Sequence, residues 1–89
     1  MGILNKDMIN ALKERSDLDF SDALYLLTCG FKLRRNAWKE MQFVELQKPD
    51  ENSKMKHAYL YAIPLDGQAV PYSVSNLDLF QQDWSVYKA

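Results

Sequence analysis

The hydrophobic pattern of the chain changes its period at Gly30, and this change limits the folds that are open to it. Four apolar residues before Gly30 recur at helical spacing, namely Phe20, Ala23, Leu24 and Leu27. After Gly30, apolar and polar residues alternate, as they do in a strand with one buried face. Because glycine readily adopts the left-handed conformation of a helix C-terminus, the pattern predicts a helix over 20–29 followed by strands.

Two further segments complete the predicted helical part. Residues 3–15 carry a short amphipathic pattern, which predicts a first helix. Asp19 is the predicted N-cap of the second helix, with Asp22 in the first turn, where the helix dipole favours an acidic side chain. We expect the apolar faces of the second helix and the first strands to form the core, through Phe20, Leu24, Leu27, Leu33 and Val44.

The rest of the chain has the pattern of an antiparallel sheet. Predicted strands cover 31–35, 41–47, 57–63, 68–74 and 84–88, with a polar loop over 48–56 and a turn at Asp66-Gly67. Pro71 makes the fourth strand an edge strand or a bulge, because proline has no N–H to donate. Ser75 and Asp78 form a capping pair for one short helical turn. The predicted fold class is α+β, with an N-terminal helix or helices followed by an antiparallel sheet of about four to five strands.

Composition argues against several classes of function. The formal net charge is −1, which does not suit a protein that grips a nucleic-acid backbone, so we expect no polymeric nucleic acid as partner. We expect no membrane partner, because no apolar run reaches the length of a bilayer span. Cys29 is the only cysteine, which excludes an intrachain disulfide and a cysteine-based zinc site. The N-terminus lacks the apolar region of a signal peptide, so a cytoplasmic location is expected.

No group in the chain carries a recognisable catalytic signature. His57 is the only histidine, and no nucleophile elbow accompanies it. Asp78 and Asp83 are a possible pair of acid–base carboxylates, but helix capping and solvation explain them more simply. No glycine-rich phosphate loop and no calcium-binding loop spacing occur. We therefore predict a protein that is not an enzyme and holds no cofactor or metal.

Lys32, Arg34, Arg35 and Lys39 form the densest basic group of the sequence. One interpretation is a solvated strand edge, and the other is a small cluster that binds phosphate, for which the planar fork of arginine is well suited. Arg35 shares one face of the predicted strand with the apolar Phe31 and Leu33, so we expect it to point inward. Trp38 follows three residues later, and an aromatic ring beside an arginine is a pairing that grips a base and a phosphate together.

Four aromatic residues, Tyr59, Tyr61, Tyr72 and Trp84, are spread over three predicted strands. Aromatic residues on neighbouring strands usually build a core or an interface. Their polar tips also suit a ligand pocket, and the sequence leaves both interpretations open.

In order and spacing these segments resemble one known family. From Gly30 to Trp38 the chain has a helix-ending glycine, an arginine five residues on and a tryptophan three residues after that. Further resembling segments follow the family's order at 20–24, 49–55, 59–61, 66–67, 70–72, 75–80 and 83–84. Over about residues 20–87 the chain resembles the Thoeris anti-defence type-two-like family of phages and bacteria. It departs from the family pattern at Ala37, Lys39, Glu40 and Tyr72.

The resemblance implies a function that composition and periodicity do not. Members of the family are small proteins that sequester a cyclic ADP-ribose isomer without cleaving it; some hold cyclic di- or trinucleotides. They are homotetramers with pockets between subunits. The resemblance thus implies an N-terminal helical extension over 1–18 and a single ligand-binding domain over 19–89. The implied site residues are Arg35, Trp38, Tyr59, Tyr61, Tyr72, Asp78 and Trp84. The alternative is a small phage accessory module that binds another protein and no nucleotide.

Overall fold

A computed structural model of the chain describes residues 6–52 and 57–88, and it confirms the predicted α+β class. In chain order its elements are α1 (Lys6–Leu12), α2 (Phe20–Thr28), β1 (Leu33–Arg35), β2 (Met41–Gln47), β3 (Tyr59–Pro64), β4 (Val70–Pro71), α3 (Asn76–Leu79) and β5 (Trp84–Val86). The strands form one antiparallel sheet in the order β4-β3-β2-β1-β5. Residues 3–5 of the first predicted helix lie outside the described residues. No helix in the described ranges is long and apolar enough to cross a membrane.

The ends of the helices follow the local signals in the sequence. The carboxylate of Asp19 accepts the backbone N–H of Asp22 at 2.9 Å and caps the start of α2. At the other end, Gly30 has a φ of 98°, which costs a glycine little. Ser75 caps α3 in the same way, because its Oγ accepts the backbone N–H of Asp78 at 3.1 Å.

Four strands are shorter than predicted, and the third of the five, predicted over 57–63, is displaced to Tyr59–Pro64. The first begins at Leu33 because the N–H of Phe31 donates to the carbonyl of Leu26 at 3.1 Å, as part of the exit from α2. The fourth is only Val70–Pro71, where the proline cannot donate to a neighbouring strand. The last ends at Val86.

The core lies between the helices and one face of the sheet. Its buried apolar residues are Leu12, Leu18, Ala23, Leu26, Leu27, Leu33, Val44, Ala62 and Trp84. The predicted burial of Leu27, Leu33 and Val44 is confirmed, and Phe20 packs against the core while half-buried. The predicted burial of Leu24 is wrong, because its side chain is 42% exposed. Leu26 faces the sheet, and a residue two positions earlier lies roughly 200° around the helix.

This correction gives a direct test of the packing of α2. We expect Leu27→Ala to lower the free energy of unfolding by about 2–5 kcal/mol, because a fully buried leucine leaves a cavity when truncated. The same change at Leu24 is expected to cost less than about 1 kcal/mol, since that side chain already contacts water. Denaturant unfolding followed by circular dichroism measures both. Equal losses at the two positions would contradict the orientation of α2.

The opposite face of the sheet has no helix packed on it in the described part of the chain. Val44 and Ala62 are paired and buried, so the alternate residues of β2 and β3 point to this second face. We call it the open face. Its residues are Lys32, Arg34, Phe43, Glu45, Gln47, Tyr59, Tyr61, Ile63, Pro71, Ser85 and Tyr87.

Candidate functional site

Arg35 is the centre of a polar cluster on the helical side of the sheet. It ends β1, shares the core face with Leu33 and is only 7% exposed, as predicted from the alternation. Its Nε donates to Asp83 Oδ1 at 2.7 Å and its Nη2 to Asp83 Oδ2 at 3.3 Å, while Nη1 donates to Asp78 Oδ1 at 2.8 Å. Three of the five N–H groups of the guanidinium therefore donate to carboxylates. This is the bidentate geometry in which arginine pairs are strongest.

Asp83 is the member of this cluster that the sequence analysis did not identify as a site residue. The interpretation of Asp78 and Asp83 as merely capping and solvated carboxylates is wrong, because both form ion pairs with a buried arginine. Asp83 also accepts the backbone N–H of Ala37 at 3.1 Å, which holds the turn before Trp38. The sequence feature that could have identified Asp83 is its position directly before Trp84. In the structure Trp84 pairs with Arg35 in the sheet, which brings Asp83 close to the arginine.

Asp78 connects three of the predicted aromatic residues. Its Oδ2 accepts the hydroxyl of Tyr72 at 2.8 Å, and its Oδ1 accepts the indole Nε1 of Trp38 at 3.4 Å. Its backbone carbonyl accepts Nε1 of Trp84 at 3.0 Å. The ring of Trp38 also meets those of Trp84 and Tyr72 edge to face, with centroids 5.2 and 5.9 Å apart. The hydrogen bond to Asp78 and the ring contacts thus fix the orientation of the Trp38 indole.

The charges of the cluster stabilise one another. Burial raises the pKa of Asp78 and Asp83, but hydrogen bonds, chiefly from Arg35, outweigh it, so each pKa lies below its ordinary value. The hydrogen bond to Asp83 raises the pKa of Arg35 further. Burial, and then the bond to Asp78, raises the pKa of Tyr72. At neutral pH the cluster therefore holds one cation and two carboxylates, and the arginine carries no excess positive charge.

Pockets of about 310, 360 and 510 Å³ lie within the size range for small ligands, and the one of about 510 Å³ adjoins Trp38. This Trp38 pocket has a volume of about 510 Å³. Its lining combines apolar side chains with charged ones; the apolar ones include Trp38, Met41 and Leu77, and the charged ones are Arg35, Lys39, Glu40 and Asp78. In the described part of the chain Lys39 makes no hydrogen bond or ion pair. Lys39 is therefore the basic residue of this pocket whose charge is available to a ligand, whereas Arg35 is already paired with two carboxylates.

Tyr59 and Tyr61 lie elsewhere, on the open face. With Gln47, Val70 and Pro71 they line a separate groove of about 310 Å³. The hydroxyl of Tyr61 donates to Glu45 Oε1 at 2.5 Å, and this bond, together with burial, raises the pKa of Tyr61 to about 12. No residue lines both this groove and the Trp38 pocket. The structure therefore brings together Arg35, Trp38, Tyr72, Asp78 and Trp84, and it separates the two tyrosines from them.

The four basic residues of the predicted cluster are also separated: Arg35 and Lys39 line the Trp38 pocket, whereas Lys32 and Arg34 lie on the open face. Arg34 donates through Nη2 to the carbonyl of Trp38 at 2.8 Å and through Nε to that of Arg35 at 3.2 Å, so it supports the same turn as Asp83. Lys32 lies over the ring of Phe43, with its Nζ 4.7 Å from the centroid.

Among residues 6–52 and 57–88, no group of acidic, histidine or cysteine side chains is arranged to hold a metal ion.

Comparison with models of protein families identifies the family of the chain. A family model described as the Thoeris anti-defense 2-like domain matches residues 18–87. The matched range begins at Leu18, which bridges to Trp84, and includes every residue of both pockets. No curated protein matches the chain.

Proposed function

The chain belongs to the Thoeris anti-defense 2-like family, and from this premise we propose that it binds and sequesters a cyclic nucleotide immune messenger without cleaving it. The family supports an anti-defence role in phage biology. The proposed ligand is a cyclic ADP-ribose isomer or a cyclic oligonucleotide. A sequestering protein needs affinity and abundance rather than turnover, so it needs no catalytic group, and we propose that this chain is not an enzyme.

The observation that carries this proposal is the preorganised indole at the Trp38 pocket. The turn that presents Trp38 is fixed at its backbone by Asp83 and Arg34, and the ring itself donates to Asp78. A rigid ring loses little conformational freedom on binding, which improves affinity. Stacking of a nucleobase on such a ring contributes about 1–3 kcal/mol.

The two basic residues that line the pocket, Arg35 and Lys39, are proposed to have different roles. Arg35 is occupied by its two carboxylates, so we assign it the role of positioning the pocket wall. Lys39 has no partner among the described residues and lines the same pocket, so it is the residue proposed to meet a ligand phosphate. Lys39 is one of the positions at which this chain departs from the family pattern.

Self-association is part of the proposal. Since Tyr59 and Tyr61 lie on the other face of the sheet, they reach the same ligand as Trp38 only across a subunit boundary. A homo-oligomer, specifically a tetramer, would permit this. The proposed location is the cytoplasm of an infected or lysogenic bacterium, and no polymeric nucleic acid or membrane is proposed as partner.

A second candidate function is an accessory module that binds another protein. It is favoured by α3, where Leu77 is 65% exposed and Phe80, which follows the helix, is 76% exposed. Exposed apolar residues in one patch mark interaction sites. This alternative predicts no affinity for any cyclic nucleotide.

Isothermal calorimetry with cyclic ADP-ribose isomers and cyclic dinucleotides tests the proposal. We expect Trp38→Ala to weaken binding about 5–150-fold, which corresponds to the loss of one stacked base. Trp38→Phe retains a ring and should keep most of the affinity. Lys39→Gln is expected to weaken binding, whereas the matched change Lys13→Gln, in the turn after α1, should not.

Two results would count against messenger sequestration. One is the absence of binding to every cyclic nucleotide offered, which would favour the accessory module. The other is recovery of a linear product when the complex is denatured and the released ligand is analysed by mass spectrometry. Full affinity in Trp38→Ala would remove the Trp38 pocket from the proposal.

A further inference from the structure

Two carboxylates line the Trp38 pocket, and they differ in how they are bonded. Both oxygens of Asp78 are occupied by donors of the protein itself, Oδ1 by Arg35 and the indole, and Oδ2 by Tyr72. The carboxylate of Glu40 is exposed, and it accepts no hydrogen bond and forms no ion pair within residues 6–52 and 57–88. Glu40 is therefore the acidic residue of this pocket whose acceptor oxygens are available to a ligand.

The backbone that carries Glu40 is held by hydrogen bonds. The carbonyl of Glu40 accepts the N–H of Leu65 at 3.0 Å, which ties it to the turn after β3. Two residues earlier, the carbonyl of Trp38 accepts Nη2 of Arg34 at 2.8 Å. Lys39 lies between these two anchored positions and lines the same pocket. The pocket thus presents an unpaired ammonium and an unpaired carboxylate, from consecutive residues, beside an indole of fixed orientation.

We propose that Glu40 determines the specificity of this pocket by accepting a hydrogen bond from the free 2′-hydroxyl of a ribose. The inference deepens the proposed function and rests on its assignment of a nucleobase to Trp38 and a phosphate to Lys39. A nucleotide joins its base and its phosphate through the ribose, so a ligand held at both ends brings its sugar to the residue beside Lys39. An ionised carboxylate only accepts hydrogen bonds, and the ribose hydroxyl is the donor that the sugar offers.

The charges of the pocket favour a hydroxyl over a second phosphate as the partner of Glu40. Arg35 is already paired with its carboxylates, so Lys39 is the lining cation left for a phosphate. A second phosphate beside the first would face the carboxylate of Glu40, and a like charge in such a position suppresses binding. The pocket therefore selects a ribose with a free 2′-hydroxyl, and it rejects one that carries a 2′-phosphate or is linked through its 2′-oxygen.

Adenosine 5′-monophosphate is a small probe that carries a base, a ribose and one phosphate. Nuclear magnetic resonance titration at millimolar concentrations, read at the indole N–H of Trp38, compares it with 2′-deoxyadenosine 5′-monophosphate and adenosine 2′,5′-bisphosphate. The wild type is expected to prefer adenosine 5′-monophosphate about tenfold over each of the other two. Glu40→Ala should reduce both preferences to within about threefold, because the acceptor and the charge are both lost. Glu40→Gln keeps an acceptor oxygen, so it should lose mainly the preference over the bisphosphate.

The matched control is Glu51→Gln, which removes the same charge from an exposed residue that does not line this pocket and should keep both preferences. Circular dichroism verifies the fold of each variant. A wild type that does not bind the monophosphate, or that binds all three probes equally, would overturn the role of Glu40, as would unchanged preferences in Glu40→Ala. Calorimetry with cyclic nucleotides tests sequestration separately. Preferences that depend on Glu40 without affinity for any cyclic nucleotide would overturn sequestration alone.

Discussion

Replacing Arg35 with methionine is expected to lower the free energy of unfolding by about 3–5 kcal/mol, the range typical of removing one partner from a buried ion pair. The side chain of Arg35 is 9% exposed, and those of its partners Asp78 and Asp83 are 14% and 28% exposed. Methionine fills part of the volume but leaves two carboxylates without a counter-charge and with a lost set of hydrogen bonds. Urea unfolding, followed by tryptophan fluorescence, measures the change.

Two comparisons isolate the effect of the unpaired carboxylates. Arg15→Met removes the same side chain from an exposed pair with Asp17, where both groups remain hydrated, and should change stability far less. The triple variant R35M/D78N/D83N removes both orphaned charges and should regain much of the stability that R35M loses. A loss below about 1 kcal/mol in R35M would contradict the assignment of Arg35 as the centre of the cluster.

Trp84→Ala is expected to cost about 3–5 kcal/mol, because a fully buried indole would be replaced by a cavity. The ring contacts both Phe20 and Trp38 edge to face, with centroids 5.4 and 5.2 Å away. Truncation therefore removes packing contacts that hold α2 against the sheet through Phe20, and contacts that hold Trp38 in the wall of its pocket. Differential scanning calorimetry gives the change in melting temperature and enthalpy.

The matched variants separate packing from hydrogen bonding. Trp84→Phe retains most of the apolar volume but leaves the carbonyl of Asp78 without its indole donor, which costs about 1–3 kcal/mol. Leu77→Ala, at a side chain that is 65% exposed, should leave the melting temperature almost unchanged. Similar melting temperatures for Trp84→Ala and Leu77→Ala would show that Trp84 is not the packing centre of the core.

The parts of the fold that the sequence predicts correctly depend on neighbouring residues. Asp19 and Asp22 are three positions apart, as are Ser75 and Asp78, and both caps form. Gly30 ends α2 through its own backbone conformation. The inward orientation of Arg35 follows from the two-residue period of a strand, which places it on the same face as Leu33. Such signals survive in any tertiary context, because the interaction lies within one or two turns of chain.

The parts that the sequence does not predict depend on distant pairing. Arg35 and Asp83 are 48 residues apart and meet only because β1 pairs with β5. The separation of Tyr59 and Tyr61 from Trp38 depends on which face of the sheet the helices cover, and alternation alone does not decide this. Leu24 fits a helical period as well as Leu26 does, and only the position of the sheet chooses between them.

The pairing of β1 with β5 also determines when the protein can finish folding during its synthesis. At about 5–20 residues per second, roughly 2–10 s pass between the translation of Arg35 and that of Asp83. At its start α2 and β1 are already made, and during it β2, β3, β4 and α3 follow, while the nascent chain carries an unpaired edge at β1 and a cation that lacks its counter-charges. A ribosome that stalls before Asp83 therefore holds a chain that cannot complete its core, exposed to chaperones and proteases until the last strand emerges.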